Sequence, residues 1–348
     1  MGKQVTRNDV AKRAGVSTAV VSYVMNNGPQ PVAPRTRERV LAAVEDVGYR
    51  VNHIARSLRL QRTFTLGIII FDSANAYFSE VVKGIEDEAY NLGYSILVSN
   101  TNNNLERRRV CINIFISRKV DGIILIGTTL ASEDMDLLNQ YQIQTMYIGS
   151  EGELEPQVQE SINTIFFATE KGGYKVGIHL LERGYRQLAC IVGRQQSYPS
   201  AEVNWFRLEG FSRALSEAGM KPQVVWEGET LQDGYRATLR LVDGENPPDA
   251  IFACNDLVAI GVLRAAADRG LSVPDDLAVC GFDDIEYASY VNPRLTTIHI
   301  PKHEIGEKAA KIIINRIQAQ SKKIGEGQTP DPVEIHQCNT TLIIREST

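Results

Sequence analysis

Apolar runs of four to six residues alternate with amphipathic helical stretches along residues 63–348, and this alternation limits the available folds more than any other feature. The runs fall at 66–71, 95–99, 122–126, 145–148, 188–192, 223–226, 250–254 and 277–281, with helical periodicity over 78–92, 169–183, 206–218, 233–242, 256–269 and 302–318. A strand that is apolar on both sides has no face for water, so it belongs in a parallel sheet covered by helices on both faces. The series breaks near 166–169 and again near 292–296, which divides it into two similar halves. The prediction is an α/β body of two doubly wound parallel-sheet subdomains, one of about 63–166 and 297–330, the other of about 167–296 and 331–348. Open parallel sheets bind ligands outside the carboxyl ends of their strands, so a ligand is expected between the halves.

The first 62 residues follow different rules. They carry 11 Lys and Arg against 4 Asp and Glu, leaving 26 against 38 for the remainder, so a basic head sits on an acidic body. A basic head meets a polyanion more readily than the body does. Thr6 with Asp9 three residues later forms a capping-box pattern, opening a helix that packs through Val10, Ala11 and Ala14 and stops at Gly15. Ser17 caps a second helix, whose Val20, Val21 and Val24 share a face. A third runs from about Thr36, with Val40, Leu41, Val44 and Val47 inward and Gly48 as its stop. Two short helices joined by a glycine turn make a helix-turn-helix, here as residues 1–50.

In that arrangement the start of the second helix enters the major groove, which assigns base edges to Thr18, Ala19 and Tyr23. Ala19 offers only a methyl contact to thymine, and Thr18 adds a hydroxyl. Arg7, Ser17, Asn26, Arg35 and Arg37 are placed for phosphates, which position the head without reading sequence. The segment NHIARSLRL at 52–60 is helix-compatible, but nine residues are too few to hold a helix alone in water. It reads as a conditional hinge, with residues 51–62 as linker.

The runs VTRNDVAKRAGVSTAVVSYVMN and VAPRTRERVLAAVEDVGYRVNHIARSL resemble the head of the LacI/GalR family of bacterial transcription regulators. The body stretches RKVDGIILIG, GGYKVGIHLLERGYRQLACIVG, RLEGF, ACNDLVAIG, VCGFDDIEYA and LTTIHIPKHEIGEKAA are similar to the same family, several of them most to its purine repressor branch. The resemblance implies a periplasmic-binding-protein-like body that binds a small-molecule effector and controls the affinity of the head for operator DNA. It implies a hinge helix that folds when two copies meet in the minor groove, with Leu58 as the wedge between base pairs. Asn52 opens that helix, Ala55 allows close approach, and Arg56 and Arg59 take phosphates or groove edges. Apolar wedges that unstack a base step are a general minor-groove device. Family members often carry Arg where this chain has Tyr23, which changes the expected operator sequence.

Effector residues follow from chemistry and from the family match together. Asp283, after a strand end, accepts from two hydroxyls; the Arg207 fork donates to neighbouring oxygens; Asn255 both donates and accepts. Tyr77 and Phe78 match aromatic wall positions, Asn75 lines the same mouth, and Trp205 is a further candidate stacking face. This set suits a polyol better than a flat base, so a sugar is expected, with a purine-type corepressor as the alternative. One helix-turn-helix reads one half-site, so a homodimer on near-palindromic double-stranded DNA is expected.

Other function classes lack their signatures. No GxGxxG follows the first strand, and no Walker loop or GxSxG elbow occurs. Asp283 and Asp284 are adjacent rather than opposed, and His299 and His303 straddle Pro301, so neither a carboxylate pair nor a metal-binding helix face forms. No enzyme activity, cofactor or metal is expected. A solute-binding protein would share the body but has no use for the basic head. Five widely spaced cysteines, mostly within apolar runs, argue against a disulfide framework. The charged start MGKQVTRNDV and the absence of a long apolar run point to a cytoplasmic protein without membrane contact.

Overall fold

The computed structural model describes residues 5–25, 30–49, 62–102, 104–128, 130–150, 153–193, 200–326 and 332–348. The chain divides into two compact units, Met1–Thr63 and Phe64–Thr348.

The first unit holds three helices, α1 (Arg7–Ala14), α2 (Thr18–Met25) and α3 (Pro34–Val47). Thr6 donates from its backbone N–H and its hydroxyl to Asp9 Oδ2, at 2.8 and 2.7 Å, which fixes the start of α1. Gly15 ends α1 in the left-handed region at φ 63°, where a side chain would strain the backbone. The small core gathers Val10, Ala11, Ala14, Val21, Val24, Val40, Ala43 and Tyr49, with Val20, Val44 and Val47 packed at its margin. Leu41, expected inward, is 46% exposed, and Ala43 takes the inward place instead. Helix α3 also begins earlier than expected, because Pro34 at its first turn supplies a preset φ and lacks only an N–H that has no helical partner there.

The second unit holds two six-stranded sheets. In chain order its elements are β1 (Thr65–Ile70), α4 (Ala76–Asn91), β2 (Ser95–Asn100), α5 (Leu105–Ser117), β3 (Gly122–Ile126), α6 (Ser132–Gln140), β4 (Gln144–Ser150), α7 (Pro156–Gln159), β5 (Asn163–Phe167), α8 (Thr169–Glu182), β6 (Leu188–Val192), α9 (Ser200–Glu217), β7 (Gln223–Trp226), α10 (Leu231–Val242), β8 (Ala250–Ala253), α11 (Asp256–Asp268), β9 (Ala278–Asp283), β10 (Thr296–His299), α12 (Lys302–Glu326), β11 (Ile335–Cys338) and β12 (Thr341–Ile343). The first sheet runs β11-β5-β4-β3-β1-β2, the second β12-β10-β9-β8-β6-β7. Every pairing is parallel except β10 with β12.

The continuous apolar runs are explained by two-sided burial. Leu66, Ile68, Ile70, Ile124 and Ile126 point to one core, and Ile69, Ile123 and Leu125 to another beneath α5 and α6. The chain passes between the halves three times: after β5, after β10, and between β11 and β12. The tail therefore divides differently from the expected 297–330 and 331–348. Strand β10 pairs with β9 in the second sheet, whereas β11 pairs with β5 in the first. Short strands at a crossing carry too little pattern to reveal their sheet.

Three helix pairs approach closely through reciprocal glycines. A Cβ on Gly84 of α4 would run into the carbonyl oxygen of His303 on α12, and one on Gly306 into that of Val81. Gly173 and Gly210 meet the carbonyls of Arg207 and Glu170 in the same way, between α8 and α9. Gly234 and Gly261 do so between α10 and α11.

Candidate functional site

A cleft in the second unit is lined from both sheets and encloses about 510 Å³ of atom-free space, its open mouth included. Asn75, Tyr77, Phe78, Arg207, Asn255 and Asp283 all line it. Local structure explains each position. Asn75 caps α4, accepting from the Tyr77 N–H at 3.0 Å, and so sets the next two aromatic side chains at the helix entrance. Asn255 caps α11 through Val258 N–H at 2.8 Å, while its NH2 donates to the Glu229 carbonyl at 3.2 Å. Half of its hydrogen-bonding capacity is thus committed to the fold.

Asp283 stands at the end of β9 with φ 109°, followed by Asp284 at φ 52°. Two consecutive non-glycine residues with positive φ are costly, and such strain persists where surrounding contacts over-determine it, commonly at functional sites. Arg207 donates to Asp283 Oδ1 at 3.1 Å and to the Cys254 carbonyl, and its guanidinium stacks 3.9 Å from the centre of the Phe282 ring. Burial pushes the Asp283 carboxyl up to about 6, against the opposing pull of Arg207 and Lys302. Burial likewise raises Tyr77 well above the usual phenol value, with the Asp283 charge adding to it.

Two polar atoms on the residues that line the cleft have no partner among those described. Tyr77 Oη and Arg207 Nε are buried without a hydrogen-bond partner among the described residues. Buried polar groups are nearly always satisfied, so two such orphans on residues that line one cleft are exceptional. An aromatic wall surrounds them: Tyr77 lies edge-on to Phe78 at 5.0 Å and to Phe167 at 6.0 Å, and Phe78 stacks on Phe71 at 5.9 Å.

The sequence reading missed Phe71, Gly127, Glu153, Phe167 and Glu229. Phe71, Gly127 and Phe167 lie at or just beyond the carboxyl ends of their strands, the rim that binds ligands in parallel sheets, so that signal was available. Glu153 is held by Tyr147 and by the Ser150 N–H at 2.9 Å, a connection made by folding alone. Trp205 is half exposed and does not line the cleft. Neither His299 nor His303 joins a metal cluster: His299 contacts Asp284 at 2.8 Å and His303 contacts Asp87 at 3.1 Å. Among the described residues no group of three metal-binding side chains occurs, and no helix is long and apolar enough to cross a membrane.

In the first unit, Ser17, Thr18 and Ala19 are exposed at the entrance of α2, and Tyr23 is half-buried four residues past Ala19 on the same helix. Ser17 Oγ accepts from the Val20 N–H at 3.4 Å, a long capping bond. Arg35 is exposed at the start of α3 and Arg37 is half-buried two residues further into the same turn. Arg7 does not stand alone, because its Nε donates to the Tyr49 hydroxyl at 3.3 Å. Arg39, which sequence reading passed over, donates to the carbonyls of Ala14 at 2.7 Å and Gly15 at 3.3 Å, satisfying the end of α1 across the helix-turn-helix. Asn26 and the hinge positions Asn52, Ala55, Arg56, Leu58 and Arg59 lie outside the described residues.

Comparison with known proteins agrees with both units. Residues 6–52 match the model of bacterial regulatory proteins of the lacI family, and residues 178–348 match a periplasmic binding protein-like domain. The HTH-type transcriptional repressor PurR of Photobacterium profundum is 32% identical over 348 residues, with 98% of each chain covered. The PurR repressor of Escherichia coli O1:K1 / APEC is 33% identical, covering 95% of this chain and 94% of its own. Among solved structures, the Lac repressor dimer bound to operator and an anti-inducer aligns with a TM-score of 0.80 at 26% identity over 99% of each chain. A CelR–cellobiose complex aligns at 0.70 and 27% identity, covering 99% of this chain and all of the other. A LacI family regulator of Enterococcus faecium with bound ribose aligns at 0.70 and 26% identity, covering 82% of this chain and 98% of its own. The chain belongs to the lacI family of bacterial regulatory proteins: it is a DNA-binding transcriptional repressor, not an enzyme.

Proposed function

We propose that this repressor is controlled by a neutral sugar bound in the cleft, and that it acts as a homodimer on near-palindromic operator DNA in the cytoplasm. The observation that carries the effector reading is the convergence of Arg207, Asn255 and Asp283 with an aromatic wall around one cleft. A guanidinium fork, an amide and a carboxylate in one place match a run of hydroxyls that both donate and accept, and aromatic faces match the apolar faces of a sugar ring. In the head, Thr18, Ala19 and Tyr23 read the major groove while Ser17, Arg7, Asn26, Arg35 and Arg37 position it on phosphates. Paired hinge segments place Asn52, Ala55, Arg56, Leu58 and Arg59 at the minor groove, with Leu58 as wedge.

Purine control is the second reading, favoured by the likeness to PurR repressors. Thermal unfolding of the full chain with ribose, cellobiose and adenine separates the two. Stabilisation by a sugar that also changes a gel shift on promoter DNA supports the first; stabilisation by adenine alone overturns it. Loss of that response in Arg207→Ala ties it to the cleft.

A further inference from the structure

The strained turn at Asp283–Asp284 is held from two directions. Within the second half, Arg207 holds the Asp283 carboxylate, while Arg345 at 2.6 Å and His299 at 2.8 Å hold that of Asp284. The turn's two carbonyl oxygens are held by Lys302, whose ammonium donates to each at 2.7 Å. Lys302 opens α12, which packs on α4 and on β3, β4 and β5 and so belongs to the first half. Its ammonium also pairs with Glu80 of α4 at 3.3 Å. Glu80 lies one turn beyond Tyr77 and Phe78, the cleft's aromatic wall.

The Lys302 side chain is 2% exposed, so its charge has left water and depends on these three partners. Two lie on the strand end that presents Asp283 to the cleft, and one lies on the helix that presents the aromatics. Helices α4 and α12 are themselves locked by the Gly84–Gly306 approach and by the contact of His303 with Asp87. A shift of the Asp283 turn therefore lengthens a bond to Lys302, pulls its ammonium from Glu80, or draws α12 and α4 with it.

We propose that Lys302 is the positioning residue that transmits occupancy of the cleft to the first half, by tying the Asp283–Asp284 backbone to Glu80. This deepens the effector reading above and rests on it. A ligand that hydrogen-bonds the Asp283 carboxylate alters the turn; Lys302 passes the change to α4, and the halves reorient as a two-state unit.

The test is a double-mutant cycle read by hydrogen–deuterium exchange on the full chain without ligand. Asp283→Asn perturbs the cleft end, and the amides of residues 79–82 on α4 report at the other. The expected result is a change of about 3-fold or more in their exchange in the otherwise native chain, and almost none in the Lys302→Met background. Should Lys302→Met fail to fold, Glu80→Gln replaces it, since it cuts the tether while leaving both carbonyl bonds in place. An equal response of α4 in both backgrounds, or no response in either, overturns the proposal. Failure of the effector reading looks different: no sugar or purine then stabilises the protein, while the exchange coupling still stands.

Discussion

Asp283→Asn is the most informative substitution, because its effect has a sign and a pH window fixed by the structure. The carboxyl titrates near 3.8 when free and is pushed up to about 6 in the fold, first by burial. A folded pKa above the unfolded one means that the native state holds the proton more tightly. This group's stabilising contribution is therefore complete below the unfolded value and is lost as pH rises through the folded one. At one pKa unit per 1.36 kcal/mol, the loss between about pH 4.5 and about pH 7.5 is ~2 kcal/mol. Asparagine has nearly the same shape and does not titrate. The loss of its charged partner changes the stability of the variant by an amount that does not vary with pH, because Arg207 stays charged throughout. The difference between variant and wild type therefore moves by ~2 kcal/mol in favour of Asn across that interval, or roughly 3 °C in midpoint for a unit the size of Phe64–Thr348. The assay is thermal unfolding of the ligand-free chain in matched buffers at the two pH values. A midpoint difference that is constant with pH would show that Asp283 is not a buried, proton-holding carboxyl, and the electrostatic account of the cleft would fail.

Other outcomes follow from the same geometry. A sugar that donates hydroxyls to Asp283 favours the ionised form, so its affinity rises as pH climbs through about 6 and then levels, as titration calorimetry will show. Gly173→Ala costs about 1–3 kcal/mol by overpacking and also displaces α9 at Arg207, so sugar-induced stabilisation falls although no cleft residue has changed. Val21→Ala opens a hole in the small core of the first unit, costing about 2 kcal/mol. Gel-shift activity then fails at a lower temperature while the melting of the second unit stays put. Burial pushes the thiols of Cys190, Cys254 and Cys280 up, so they resist alkylation by iodoacetamide until the chain unfolds.

Legibility of the fold tracked the length and purity of each element's pattern. Strands β1, β3 and β6 are buried along nearly their whole length and read directly as apolar runs. Helix α5 shows no amphipathic pattern because its faces are mixed: Arg108 is buried in a 2.6 Å ion pair with Asp134, whereas Val110 and Ile114 are exposed. Strands β10, β11 and β12 are four residues or fewer and are defined by their partners across the sheet rather than by their own residues. In the cleft, the residues that cap helices were legible, because capping chemistry is local. Asn75 and Asn255 are of this kind. The Arg207–Asp283 contact spans 76 positions and the Lys302–Glu80 contact joins opposite ends of the second unit's sequence, so neither leaves a periodic trace. Leu41 shows the limit of spacing alone: its place on α3 predicts an inward side chain, but the small core closes on Ala43.

The three crossings between the halves also bear on how the protein is made. Five strands of the first sheet are synthesised before residue 168, yet helix α12 and edge strand β11 come from residues 302–338. Until these emerge, Ile124, Met146 and Ile165 lack part of their cover and β5 presents an open edge, a state prone to aggregate. The second sheet needs only residues 188–299 for five of its six strands, a nearly continuous stretch. On a ribosome the later half is therefore positioned to close first, with the earlier half waiting for the tail to complete it.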